Sequence, residues 1–201
     1  VALGDAYATL EQLRNRMGLD DSDDDNRLTS ALATVSSGIE TVTGRVFNDA
    51  DAASARVFEP DARARADVDD FSTTVGLLVA VDSDGDGVFE TTWTPTDYEL
   101  RPLNGIVGGQ PGWPYNQIRA VGSKCFPTCT RRAALQVTAR WGWAAVPDPV
   151  HEACLIVAAE TVKLRDAPFG VAGFGEYGSI RVRNNPMAMG MLAPYCLPLI
   201  G

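Results

Sequence analysis

Asp82, Asp84 and Asp86, spaced two apart and followed by Gly87, set carboxylates at the first, third and fifth positions of a turn. An EF-hand-type calcium loop begins this way, with hard oxygen ligands and a glycine for the sharp bend. The closing position, where such a loop needs a bidentate Glu, is Trp93, and Glu90 stands where ligation usually runs through water. The flanks read as strands instead of helices. Three carboxylates without a closing ligand make a weak calcium site, and the same Asp and Gly residues also suit a hairpin tip.

Other chemistry-bearing residues are sparse. Cys125 and Cys129 form one close pair and His151 is the single histidine, short of the four ligands of structural zinc. With Cys154 and Cys196 they read as reduced, packing thiols. The glycines between Gly170 and Gly178 follow a helix and open none, so a phosphate cradle is not expected. No Gly-x-Ser-x-Gly elbow or His-Glu-x-x-His motif is present, and His151 falls in the first turn of a helix. No catalytic residue, cofactor or enzymatic activity is expected.

The elements that must position these residues come in three blocks. Thr9 with Gln12 forms a capping box, Leu10, Leu13 and Met17 share a face, and Gly18 supplies the stop. Ser22 with Asp25 repeats the box, and Leu28, Leu32, Val35, Ile39 and Val42 continue as an amphipathic helix. The acids Asp23 to Asp25 suit its N-terminus. From Arg56 the period becomes two. Thr73 to Val81 is expected as a strand, turning at 82–87 into Val88 to Trp93. Tyr98 to Leu103, Ile118 to Val121 and Ala134 to Trp141 are further strands, and the glycine- and proline-rich stretch 104–114 is an exposed loop.

Helical spacing returns after Pro147, with Asp148 as N-cap, Pro149 in the first turn and Val150, Cys154, Val157, Thr161 and Leu164 as the buried stripe. Pro168 and Gly170 end it. Ser179 to Arg183 looks extended, which would turn Arg181 and Arg183 to one face, and Asn185-Pro186 caps a short helix through Leu192. The predicted class is α+β: a small helical bundle with an inserted antiparallel β domain and an extended C-terminal docking segment. Its expected divisions are 1–47 with 146–193, then 48–145, then the tail 194–201. Tyr195, Leu197, Leu199 and Ile200 in that tail either fold back on the core or dock into a partner.

The composition is that of a globular protein, 45% apolar and 21% charged, with no run long enough for a membrane span. The first residues, Val1 to Tyr7, lack the basic and apolar regions of a signal peptide, and none is expected. A net charge of −9 argues against gripping nucleic acid without sequence preference.

The order of these landmarks resembles the head–tail connector, or adaptor, proteins of long-tailed double-stranded DNA bacteriophages and related gene-transfer particles. Leu10-Glu-Gln-Leu13 through Thr43-Gly-Arg45-Val-Phe47 is similar to their N-terminal helical pair. Val81 to Glu90 with Asp97 to Leu100 resembles the β hairpins of larger members. Val137 to Trp143 with Val146-Pro147 resembles the strand-to-helix junction, and Gly175 to Val182 with Leu192-Ala-Pro-Tyr195 the C-terminal signature. The resemblance implies a structural virion protein of the neck, assembled in the host cytoplasm as a cyclic homo-oligomer, expected as a dodecamer, beneath the portal. Its implied partners are the portal protein and a tail-side stopper or tail-completion protein, with genomic DNA passing through the lumen unread and no membrane involved. The implied portal-binding residues are Arg181, Arg183, Met191, Leu192, Tyr195, Leu197, Leu199 and Ile200. The competing expectation, from the residues alone, is a calcium-dependent β-type binding module built on loop 82–90.

Overall fold

The computed structural model describes residues 4–20, 22–127, 133–165 and 177–197. The chain divides into two compact units, Val1–Asn48 with Ala145–Gly201, and Asp49–Ala144. The first is helical among the described residues, the second is built of antiparallel strands, and the α+β class read from the sequence stands.

In the helical unit, α1 spans Leu10–Met17 and the Thr9–Gln12 box is formed in both directions. The Thr9 hydroxyl accepts from the Gln12 amide at 3.2 Å, and the Gln12 side chain accepts from the Thr9 amide at 2.8 Å. Gly18 ends the helix in the left-handed region, at φ 68°. The second helix, α2, spans Asp25–Thr43 and stops at Gly44, φ 69°. Its expected Ser22–Asp25 box does not form. Asp24 takes the cap position without a side-chain cap, because the neighbouring acids are drawn to arginines: Asp24 pairs with Arg27 at 3.3 Å and Asp25 pairs with Arg14. Leu28, Ala31, Leu32, Val35 and Ile39 are buried along α2, the three- and four-residue spacing expected of a core-facing stripe.

Helix α3, Asp148–Arg165, buries Val150, Cys154 and Val157 as expected, and also Ala153, Leu155, Ile156, Ala158 and Ala159. It is therefore covered on more sides than a single stripe requires. Residues 166–176, which include Pro168 and Gly170, lie outside the described residues. A correction follows: Ser179 to Arg183 is not extended but belongs to helix α4, Tyr177–Asn184. β-branched Ile180 and Val182 favour a strand in isolation, yet packing overrides so weak a preference. Val182 is fully buried, and Gly178 sits against the backbone of Thr34 on α2. Asn185 then caps α5, Pro186–Leu192, by accepting from the Ala188 amide at 2.8 Å, and a 3-10 turn follows at Ala193–Tyr195.

Among the described residues the β unit holds seven strands: β1 Ser54–Phe58, β2 Arg65–Phe71, β3 Leu78–Val81, β4 Thr91–Trp93, β5 Tyr98–Arg101, β6 Tyr115–Ala120 and β7 Leu135–Ala139. They form a four-stranded sheet in the order β1-β7-β3-β4 and a three-stranded sheet in the order β2-β6-β5, antiparallel throughout. Both sheets contribute to one core, with Ala66 and Ile118 from one and Val79, Trp93, Leu135 and Val137 from the other. Phe71 meets Trp141 edge to face at 6.1 Å, and Trp93 stacks on Phe126 at 4.7 Å. The expected strand from Thr73 is shortened to its last four residues. Gly76, at φ 77°, closes a turn in which Leu77 donates to the Thr74 carbonyl, and Val75 is left 80% exposed. The glycine outweighs the alternation of valines around it.

Candidate functional site

Two regions gather the residues singled out by the sequence. The first is the hairpin tip between β3 and β4. Among the described residues, Asp82, Asp84, Asp86 and Glu90 bring ligand oxygens within 4.8 Å of one another. Asp82 is fully buried, whereas the other three are exposed. Its carboxylate accepts from the Gly85 amide at 2.7 Å and the Gly87 amide at 2.9 Å. Burial pushes the Asp82 pKa up, but these amide bonds outweigh it and the carboxyl is held below its usual value. Asp84 accepts from the Asp86 amide, Asp86 from the Val88 amide, and Glu90 from the Ser83 amide at 3.0 Å. Each acid thus serves the turn through at least one oxygen. The carboxylate lone pairs left over are what these side chains offer a cation, and Trp93 lies inward in the core, where it supplies no ligand.

The second region is the C-terminal segment. The Arg45 Nε donates to the Tyr195 carbonyl at 2.8 Å, and the Leu197 amide donates to the Thr43 carbonyl at 2.8 Å. Leu197 packs over Gly44, while the Tyr195 ring meets Phe47 edge to face at 5.8 Å. Through residue 197 the chain therefore folds back on the C-terminal end of α2. The two arginines expected on one face are separated by the helical turn of α4: Arg183 is exposed, Arg181 half-buried, and Val182 between them points inward. Met191 is half-buried, and Leu192 is fully buried, so its side chain serves the core. Leu199 and Ile200 lie outside the described residues.

A buried polar network links Tyr7, near the start of the helical unit, to α2 and α3, and no periodicity of the residues signals it. The Tyr7 hydroxyl donates to Glu40 Oε1 at 2.7 Å and accepts from the Phe47 amide at 3.2 Å. The Tyr7 amide donates to Ser36 Oγ at 3.0 Å, and Ser36 Oγ lies 3.5 Å from Cys154 Sγ. Desolvation drives the Tyr7 phenol far above its usual pKa, and burial pushes the Cys154 thiol up to about 11. Both groups are held neutral, the opposite of what nucleophilic or acid–base work requires.

The remaining candidates have structural occupations. His151 Nε2 lies 3.0 Å from Gln12 Oε1 on α1. Cys125 is exposed and accepts from Arg63 Nη2 at 3.6 Å, while Cys129 lies outside the described residues. No helix among the described residues is long and apolar enough to cross a membrane.

Residues 7–70 match the family described as Phage gp6-like head-tail connector protein. The resemblance to connectors read from the sequence thus stands on the stretch that holds the helical pair and the first two strands. No curated protein matches the chain. Among solved structures, it resembles a chain in the neck of an empty gene transfer agent particle computed with C6 symmetry, at 18% identity and a TM-score of 0.56, covering 96% of this chain and 91% of that one. It also resembles a chain in the neck of the native particle computed with C12 symmetry, at 15% identity and a TM-score of 0.52, over 96% and 90%. A chain of the native gene transfer agent virion gives 16% identity and a TM-score of 0.52, over 96% and 91%.

Proposed function

We propose that this chain, with the head-tail connector match over residues 7–70 as its premise, is a non-enzymatic structural protein of a virion neck. Copies form a closed ring beneath the portal, joining the DNA-filled capsid to the tail. The observation that carries this reading is the fold shared with neck chains over 96% of the sequence, in necks computed with C6 and C12 symmetry. The chemistry within the chain agrees. Tyr7 and Cys154 are held neutral, and His151 bonds to Gln12 on α1.

The portal-facing element in this reading is the C-terminal segment, with Arg181, Arg183, Met191, Tyr195 and Leu197 beside the terminal Leu199 and Ile200. Leu192 anchors that segment from within. The net charge of −9, repeated on every copy, gives DNA a passage without grip where it lines the lumen.

Electron microscopy and mass spectrometry of purified particles test the role. The chain is expected in the neck, as a ring between portal and tail. Its absence from the particle overturns the reading, and a lumen lined mainly by Lys and Arg overturns the charge argument.

A further inference from the structure

Among the described residues, those that the four strands β1, β7, β3 and β4 turn to the outer face of their sheet include no ionisable side chain. Alternation turns Val79, Val81, Trp93, Leu135 and Val137 into the core. The register then sets Val57, Gln136, Ala80 and Thr92 in one outer row, and Ala55, Thr138 and Leu78 in the next. Leu78 is 57% exposed and Val57 50%. A sheet face left to water ordinarily presents charged as well as polar residues, and this one offers only neutral side chains, two of them exposed aliphatics.

The same unit projects a second neutral surface. No charged residue occurs between Arg101 and Arg119, and the loop within that stretch exposes Leu103, Ile106 and Val107. The loop is held by its own backbone. Val107 and Gln110 exchange hydrogen bonds at 3.0 and 2.9 Å across Gly108-Gly109, and the Trp113 amide donates to the Gly105 carbonyl at 3.0 Å. Gly108 and Gly109 both have positive φ, as a two-residue hairpin turn requires. A knob already shaped in this way loses little freedom on docking.

We propose that the apolar loop 103–110 of one copy seats on the neutral outer sheet face of the next copy. This rests on the ring reading above and deepens it by naming the two surfaces that meet. A cyclic head-to-tail assembly needs two different patches on every subunit, and an exposed, internally bonded loop with a neutral sheet face supplies them. Charge selects the same pair. Copies that each carry −9 repel, and contact between two uncharged surfaces keeps their carboxylates apart.

The test uses the full chain as wild type, Leu78→Arg, Ile106→Asp and the double variant, with far-UV circular dichroism to verify folding. Rings are scored by native mass spectrometry of the purified chain and by electron microscopy of particle necks. Each single variant is expected to fold and lose rings, and the double variant to regain them through an Arg–Asp pair across the contact. Should Leu78→Arg unfold, Val57→Arg tests the same face. Rings in both single variants overturn the inference and leave the connector reading intact. Loss of rings in the singles without recovery in the double overturns the pairing of loop with face. A wild type that forms no ring in either assay overturns the ring reading together with this inference.

Discussion

Gly178 lies against Thr34 so closely that a Cβ built on it would stand 2.5 Å from the Thr34 carbonyl oxygen and 3.1 Å from Cγ2. The missing side chain is what lets α4 cross α2 backbone to backbone. Gly178→Ala is expected to destabilise the helical unit by ~1–3 kcal/mol, the usual range for overpacking. Gly190, on α5, has nothing within 4 Å of a built Cβ, and Gly190→Ala should be neutral or stabilise by ~0.4–1 kcal/mol. Urea unfolding of the two variants separates a packing glycine from a merely flexible one. Equal effects would refute the close crossing.

Tyr7 makes a different kind of prediction, because its hydroxyl is both donor and acceptor in a buried site. Tyr7→Phe leaves the Phe47 amide without that acceptor and Glu40 without its donor, and is expected to lose ~1–3 kcal/mol. The pKa shifts add an alkaline limit. Groups whose folded pKa is raised contribute stability that is whole below the unfolded value and lost as pH rises. For Cys154 that window runs from 9.0 to about 11. Thermal melts of the wild type should therefore fall across this range, and Cys154→Ala should flatten the fall.

The acidic hairpin supplies the opposite sign. Asp82, Glu90 and Asp97 are all held below their ordinary pKa values, Glu90 and Asp97 chiefly by backbone amides and Asp82 by amides that outweigh its burial. Their contribution is present above the unfolded values, 3.8 for Asp and 4.5 for Glu, and is lost as pH falls through the lower folded values. Melting temperature should drop in acid, and Asp82→Ala should lower it at neutral pH more than Asp84→Ala. EDTA should leave the wild-type melt unchanged, since the amides close this loop. A chelator-dependent drop that vanishes in Asp84→Ala would instead place a cation there.

At the C-terminus, burial separates anchoring from contact. Leu192→Ala is expected to lose ~2–5 kcal/mol because the side chain is fully enclosed. A chain shortened by residues 198–201 lacks Leu199 and Ile200 of the proposed portal-facing segment. In pull-downs with portal protein the shortened chain is expected to lose binding. Retained binding would move the docking role away from the terminal residues.

Features that depend on neighbours in the chain were legible in the residues alone. Thr9 with Gln12 and Gly18 bound the first helix, and Asn185-Pro186 starts the last, because caps satisfy backbone groups within a turn or so. The hairpin at 82–90 was legible for the same reason, as was the order of landmarks that resembles the connectors. Tertiary structure decided the rest. Residues 179–183 are helical because Gly178 packs on α2, far earlier in the chain, and Val182 is enclosed, and nothing local to Ile180-Arg-Val182 records that burial. Asp82 became the buried acid of its loop only once Gly85 and Gly87 turned their amides toward it. The neutral sheet face is the clearest case. Its residues come from β1, β3, β4 and β7, with Val57 and Gln136 79 positions apart, and only pairing and register bring Val57, Gln136, Ala80 and Thr92 into one row.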